Sequence, residues 1–479
     1  MIIEDLLHPL LGSYISSPQW VKSSIGTVYS WIPLSLRRGS HYQRFLCEAQ
    51  LKDKDRIDQL SYRKLATTLR WALETVPAYY RYRHLLNQLD RPYEVLRELP
   101  LITKQEITRN LSHFLSKRSA GASLKTFTGG STAEPMMFYL HKGVSRTKEY
   151  AFIENFHQRS GLTQDDVVMA LRGRGVPSAK RPGGRLWMYE PIKQQLILSS
   201  DHLERAYMPK YIAAMRVWKP TYIQAFPSAI YPLARWLKEH PEREVSDRIR
   251  GIMLFSENVF EHHMALIREV FSCPVLKHFG HSERVLMAAS LPDDDRYFFW
   301  PQYGYFELLN EAGNPVTKTG ELGEIVGTGF DNQVMPFIRY RTGDMAIFSD
   351  KPNPLLPGYP VVERIEGCRQ EFVVCHDYRL ISISSMSTAH VGSFALAGVE
   401  SMQYEQIKPG HLIIKVVTVS PLSSDARYKI VRAIETKAQG GCTAEVVEVD
   451  QIPRTMRGKH KMLVQHLDIS RYLGAPGAV

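Results

Sequence analysis

Thr221-Tyr222-Ile223-Gln224-Ala225-Phe226-Pro227-Ser228-Ala229 is the stretch that decides the fold. Residues 221–226 are aromatic, β-branched and small apolar in the main and read as a buried strand. Pro227 then opens a helix whose apolar positions run through Leu233, Trp236 and Leu237. Val167-Val168-Met169-Ala170-Leu171 upstream reads as another buried strand. So does Ile252-Met253-Leu254-Phe255 downstream, followed by Ser256-Glu257 and a helix to Phe271. Strands alternating with helices predict an α/β region with a largely parallel sheet. Ligands then belong at the carboxyl ends of the strands, where Ser228 and Ser256-Glu257 fall.

Outward from this core the pattern changes twice. Residues 1–100 read as a mostly helical segment packed on the main domain. Leu60, Leu65, Leu69, Trp71 and Leu73 recur at helical spacing until Val76-Pro77 ends the run. An apolar, aromatic stretch ending in Leu36-Arg37-Arg38-Gly39 has two readings, a helical flap or a peripheral membrane contact. Residues 101–368 form the main domain. Within it, 303–350 reads as β-hairpins in a small barrel-like subdomain, from Tyr303-Gly304-Tyr305-Phe306-Glu307-Leu308 and Gly323-Glu324-Ile325-Val326-Gly327-Thr328. Residues 369–479 read as a small α+β domain, with strands over 411–417 and 444–449 and a helix between them.

The chain's 479 residues exceed what one core fills, so more than one domain is expected. Its net charge of +11 favours an anionic partner. Zinc-finger spacing, an RNP-type aromatic motif and a long Lys/Arg run are all missing, which excludes nucleic acid as the expected partner. Five cysteines without a C-x-x-C pair support neither a disulfide framework nor a structural zinc site. Glu4, Asp5, Pro9 and Gly12 argue against a signal peptide, and no apolar run is long enough to span a bilayer, so a cytoplasmic protein is expected. No sequence signal sets the oligomeric state.

Five short blocks carry chemistry. Thr128-Gly129-Gly130-Ser131-Thr132-Ala133-Glu134-Pro135 sets two glycines beside hydroxyls, a loop suited to phosphate oxygens or to a plain turn. In His278-Phe279-Gly280-His281-Ser282-Glu283 the ring suits a nucleobase and the carboxylate suits Mg²⁺; a strand–Gly turn with a capping Ser reads equally well. Asp344, in Arg339-Tyr340-Arg341-Thr342-Gly343-Asp344, suits ribose hydroxyls or a simple turn. Arg364-Ile365-Glu366-Gly367 marks the join between large and small domains, and Gly367 suits a hinge. Gly458-Lys459 is a basic tip that either swings into a site or stays solvated.

In this order the blocks resemble the adenylate-forming superfamily of acyl-CoA synthetases. Within it they are most similar to the phenylacetate–CoA ligase-like branch, with its CapK-type capsular-polysaccharide proteins and coenzyme F390 synthetases. The resemblance extends to Pro100-Leu101-Ile102-Thr103-Lys104, Lys219-Pro220 and Met335-Pro336-Phe337-Ile338. It implies ATP phosphates on Thr128, Gly129, Gly130, Ser131 and Thr132. It also implies adenine and ribose on Phe279, Gly280, Asp344 and Arg364, Mg²⁺ at Glu283, and Lys459 as the catalytic residue on a mobile C-terminal domain.

The implied reaction joins ATP to a small-molecule or sugar carboxylic acid and releases pyrophosphate. The acyl group then passes to an amine or to a thiol such as coenzyme A; a transferase that leaves AMP on its substrate is the alternative. Tyr139, Phe226, Ser228, Ser256 and Glu257 are candidate pocket residues, and equally candidate core residues. Three positions depart from the pattern: Ala133 replaces a glycine, Cys368 an arginine and Gln370 an aspartate. Arg364 or Arg369 would supply the missing cation. The cluster Arg172, Arg174, Lys180, Arg181 and Arg185 reads as a solvated loop or as contacts to an acidic substrate.

Overall fold

The computed structural model describes residues 14, 17–32, 34–118, 123–128, 136–163, 165–172, 176–180, 184–200, 202–368, 371–383, 386, 398–454 and 460–472. Helices α1 (Gln19–Ser30), α2 (Tyr42–Ala49) and α3 (Lys54–Thr75) lead the chain. The Asp53 side chain caps α3 by accepting from the Arg56 N–H at 2.8 Å. The helix buries Ile57, Leu65, Leu69 and Leu73. Helix α1 turns Gly26 onto Pro191, where an added Cβ would come within 2.8 Å of the proline ring. Its other side leaves Trp20 and Trp31 exposed. No helix among the described residues is long and apolar enough to cross a membrane.

Strands β1 (Ser123–Phe127) and β2 (Met137–His141) make an antiparallel hairpin, and helix α4 (Ser145–Arg159) follows. A twelve-stranded sheet comes next. Its parallel part holds β3 (Val168–Leu171), β5 (Gln195–Leu198), β6 (Tyr222–Ala225), β7 (Gly251–Phe255) and β8 (Val275–Gly280), with β4 (Trp187–Glu190) antiparallel on the edge. Helices α5 (Met208–Trp218), α6 (Pro227–Glu239) and α7 (Glu261–Phe271) connect these strands.

Period-two alternation assigns the two faces. Ile223, Ala225, Ile252 and Leu254 pack with Leu233 and Ile267 on one side. Tyr222, Met253, Phe255 and Leu276 pack with Phe45, Phe152 and Phe156 on the other. The deciding stretch of sequence is therefore buried on both faces, which is why it is apolar in the main, with Gln224 as the polar exception on β6.

The hairpins expected over 303–350 are present, but the barrel-like subdomain is not. Strands β9 (Met287–Leu291), β10 (Asp294–Phe299), β11 (Gly304–Leu309), β12 (Leu322–Gly329), β13 (Tyr340–Phe348) and β14 (Val361–Cys368) extend the same sheet. No closed barrel forms among the described residues. Strand β14 pairs with β13 on one edge and β10 on the other, while β9 pairs with β8. The hairpins thus gain a continuous sheet partner and need no closure to hide an edge.

The C-terminal part has its own core. Strands β15 (Phe372–Val374) and β16 (Leu380–Ser382) pair first. A four-stranded sheet then forms in the order β19 (Thr443–Glu448), β18 (His411–Thr418), β17 (Val399–Gln406) and β20 (Leu463–Gln465). Helix α8 (Ser424–Lys437) buries Ile430 and Ile434 in a core with Tyr404, Leu412, Ile414 and Val416. Phe260, from the α/β region, joins that core and ties the two parts together.

Candidate active site

The carboxyl ends of β6, β7 and β8 converge on one edge of the sheet. Phe226 caps the start of α6 and is buried in the core beneath it. The next polar residue, Ser228, meets Glu257 from the end of β7. Its N–H donates to Glu257 Oε2 at 3.0 Å and its hydroxyl to Oε1 at 3.1 Å. Between β7 and Glu257 the chain turns sharply. The Glu257 N–H donates to the Phe255 carbonyl at 2.9 Å across Ser256, whose φ is 62°. A serine held in the left-handed region is strained, a feature that collects at ligand-facing turns.

Arg454 and His460 reach this pair from the C-terminal part. Arg454 donates from Nη1 to the Ser228 hydroxyl at 3.1 Å and from Nη2 to the Ser228 carbonyl at 3.3 Å. The His460 N–H donates to Glu257 Oε1 at 2.9 Å, and its ring Nε2 bonds the Met402 carbonyl at 2.8 Å. Burial lifts the Glu257 carboxyl above the usual carboxylate range, against the pull of Ser228, His460 and Arg454. Burial and then Arg454 push the His460 imidazole down to about 4. The basic tip Gly458-Lys459 stands in a cation-rich stretch, and its sequence singles out neither Arg454 nor His460, because nothing in a run of cations marks which of them reaches a carboxylate on another domain.

One end of the site is built around Glu283. Phe279 is the next-to-last residue of β8, half-buried, with its ring edge-on to Phe299 at 5.7 Å. Gly280 is exposed beside it. Glu283 is buried and accepts a 2.8 Å hydrogen bond from the Tyr340 hydroxyl. Burial and the adjacent carboxylate hold that phenol protonated, so it stays a donor. Tyr340 begins β13, the strand that carries Asp344. The Asp344 N–H donates to Thr342 Oγ1 at 3.1 Å around Gly343, whose φ is 79°. Cross-strand pairing sets Asp344 opposite Cys368, so this carboxylate lies at the domain join.

Arg364 stands on β14 with its guanidinium half-exposed and paired to buried Glu366, which also accepts from the Ser382 hydroxyl. At Gly367 φ is 93°, and an added Cβ would lie 1.9 Å from Glu371 Oε2 and 2.3 Å from Asn258 Nδ2. Only glycine fits where the chain leaves the large domain.

Two expected groups are placed apart or lie beyond the described residues. Tyr139 sits on the β1–β2 hairpin and packs against the N-terminal core, its carbonyl taken by Asn332 at 3.0 Å, whereas Phe226 belongs to the core under α6. Thr128 pins the two ends of its loop together. Its N–H donates to the Met136 carbonyl, and its hydroxyl accepts from the Met136 N–H, both at 2.9 Å. Gly129, Gly130, Ser131, Thr132 and Ala133 lie outside the described residues, as do Arg174, Arg181, Arg369, Gln370, Gly458 and Lys459. A separate cavity of about 330 Å³ lies between α3 and the Phe330–Pro336 segment and shares no lining residue with the strand-end site.

Comparison with known proteins bears on the sequence and the fold. Residues 375–466 match the CapK C-terminal domain. Protein CapK of Staphylococcus aureus is 23% identical over 381 residues, covering 78% of this chain and 80% of that protein. A 2-hydroxyisobutyryl-CoA ligase in its postadenylation state superposes with a TM-score of 0.65 at 15% identity, over 93% of this chain and 96% of the ligase. The acyl acid amido synthetase GH3.15 superposes with a TM-score of 0.57 at 13% identity, over 88% and 94%. The chain is therefore CapK-like in sequence, with a CapK C-terminal domain on the fold of the adenylate-forming ligases.

Proposed function

We propose that this protein is an ATP-dependent adenylate-forming ligase. A substrate carboxylate attacks the α-phosphate of ATP, the bond to pyrophosphate breaks, and the acyl-AMP passes its acyl group to an amine or thiol. Surface-polysaccharide assembly is the process that the resemblance of its sequence blocks to CapK-type capsular-polysaccharide proteins implies. The observation that carries the reading is the junction at Glu257. There the residue directly after Lys459 is hydrogen-bonded to the carboxyl end of β7, one strand from Phe279. A lysine delivered to that edge would cancel charge on the phosphate under attack, and domain rotation would withdraw it afterwards.

Mg²⁺ fits the residues present. Among the described residues no cluster of three acidic, His or Cys groups could hold a metal alone. Glu283 offers a single carboxylate, which matches an ion shared with substrate phosphates. Bound there, Mg²⁺ would neutralise charge on the phosphate oxygens. Glu283 would hold it, Tyr340 orienting the carboxylate, while Phe279 packs on adenine and Asp344 accepts the ribose hydroxyls.

Exchange of labelled pyrophosphate into ATP across a panel of acids tests the reading. Acid-dependent exchange that disappears in Lys459→Ala is the expected result. A stable AMP-tagged product would favour the transferase instead, and the absence of exchange with every acid would overturn the ligase. Hydroxylamine trapping compared with coenzyme A consumption then separates the amine and thiol acceptors.

A further inference from the structure

The sheet face under α4 changes character at the strand ends. Deeper down it is apolar, with Phe152, Phe156, Tyr222, Met253 and Leu276. At the carboxyl edge the same face carries Arg172 just beyond β3, Gln224 on β6 and His278 on β8, with His157 and Glu149 facing them from α4. Gln224 Nε2 lies 3.0 Å from His157 Nε2, and the Arg172 guanidinium sits 5.7 Å from the Phe255 ring centre. The His278 ring is flanked by Phe255 at 5.0 Å and Phe156 at 5.5 Å. Glu149 accepts from the Tyr303 hydroxyl.

The polar atoms here are incompletely paired. His278 Nε2 and both ring nitrogens of His281 are buried with no hydrogen-bond partner. Buried polar groups in folded proteins are nearly always satisfied, and exceptions gather where a ligand completes the set. Burial keeps the His157 and His278 rings neutral: His157 is pushed down to about 3 and His278 to about 4, with Arg172 adding to both. A neutral imidazole offers one donor and one acceptor, as the Gln224 amide does, and that is the dual character of a hydroxyl group.

We infer that the acid taken by this site is polyhydroxylated and non-aromatic, a sugar-type acid. Gln224, His278 and His281 bond its hydroxyls, Arg172 and Glu149 bracket the set, and the Phe156 and Phe255 rings wall its C–H face. The inference rests on the ligase reading and narrows its substrate. An aryl acid of similar size would bury the same nitrogens against carbon and leave them unpaired, which is how polar sites reject apolar analogues.

The test compares uronic and aldonic acids with phenylacetate and cyclohexanecarboxylate in pyrophosphate exchange. At least a 100-fold preference for the hydroxylated set in kcat/KM is expected, on the order of what such sites achieve. His278→Phe and Gln224→Leu should each shrink that preference by about tenfold or more, mainly through KM, with thermal melting confirming that the variants fold. A wild-type preference for the unhydroxylated acids overturns the inference while leaving the ligase standing. So does a preference that neither variant changes. Ligand-detected NMR of the same acids on Lys459→Ala protein needs no turnover. Hydroxylated acids that bind, and lose binding in His278→Phe, support the site even where exchange is silent and the ligase reading has failed. Equal binding of both sets, or binding of neither, sinks it.

Discussion

Two buried polar networks in this molecule look alike and do different things. The first is anchored on Lys148, whose Nζ donates to the carbonyls of Tyr303 at 2.7 Å and Phe330 at 2.8 Å and lies 3.7 Å from Asp331. Asp331 also pairs with Lys64 at 2.9 Å, and Lys64 pairs with Glu48 at 2.6 Å. All of these groups belong to the large domain, and they staple helices α2, α3 and α4 to the loop after β12. The second network is Ser228–Glu257–Arg454–His460, whose members come from two domains. Both are desolvated and both shift ionisation, so burial alone does not mark function. What separates them is whether the partners share one core or come from two.

The largest expected effect breaks the first network. Lys148→Ala leaves two carbonyls without their donor and Asp331 without one of its two cations. Removing one partner of a buried charge set costs about 3–5 kcal/mol. Urea unfolding should show a loss of unfolding free energy of that size. Loss of activity should follow loss of folded protein, with the specific activity of the folded fraction retained. A variant as stable as the parent would mean that the lysine holds nothing together.

Arg454→Met attacks the second network with the opposite signature. Global stability should change little, because each domain keeps its own core. Glu257 loses its cation, and a truncated interfacial pair costs about 2 kcal/mol or more, some 30-fold in the docked population. Pyrophosphate exchange should fall by about that factor, and the 454–460 segment should become more sensitive to protease. A large drop in global stability with normal exchange would place this arginine with Lys148, as a structural group.

Acid distinguishes the networks without any mutation. Burial works to raise the Asp331 carboxyl, but Lys64 and Lys148 hold it below its ordinary value, so this carboxylate keeps its charge to lower pH than a free one. His460 behaves otherwise. Its folded value of about 4 lies below the ordinary 6.5, so the unfolded chain binds the extra proton between those limits. Its contribution is complete above pH 6.5 and is lost as pH falls towards 4, by up to about 1.4 kcal/mol per pH unit. Glu257 works in reverse: its raised value makes the folded state the better proton acceptor, so its ionised form costs least to remove by acidification.

Single variants separate the two. Relative to wild type over pH 6.5 to 4, His460→Asn should lose less stability on acidification and Glu257→Gln should lose more. Hydrogen exchange resolved at β17 and α6 reads the junction, and at α4 the first network. Matching pH profiles for the two variants would refute the assignment.

The same contrast explains what the sequence made legible. The parallel core could be read from 221–229 because a strand buried on both faces is apolar over most of its length, and Pro227 sets the helix start. The strands over 411–417 and 444–449 were equally readable, and they are β18 and β19. The barrel-like reading of 303–350 failed because a hairpin's pattern is local, whereas the pairing of β14 with β10 joins residues about sixty apart in sequence. Ser228 and Glu257 were legible as strand-end residues. Their partners Arg454 and His460 were not, since a contact between domains leaves no period in either segment. Tyr139, a candidate for pocket or core alike, sits with another core, because an aromatic residue on a short strand carries no label for the face it serves.

The smallest expected effect lies at Thr128, and it tests whether loop and junction act as one site. The Thr128 hydroxyl accepts from the Met136 N–H, a bond that fixes the mouth of the Gly-rich loop without involving the second domain. Thr128→Val keeps the shape and removes the acceptor, leaving a buried N–H short of one bond. The cost should be about 1 kcal/mol. Thr128→Ser restores the acceptor and should recover it. If the loop handles ATP phosphates, the valine variant should raise the KM for ATP several-fold while leaving the protease sensitivity of 454–460 as in wild type. Parallel loss in Thr128→Val and Arg454→Met, with the double variant no worse than either, would show that loop and docked segment are one cooperative unit. Additive losses would keep them as two halves that meet only when the domain closes.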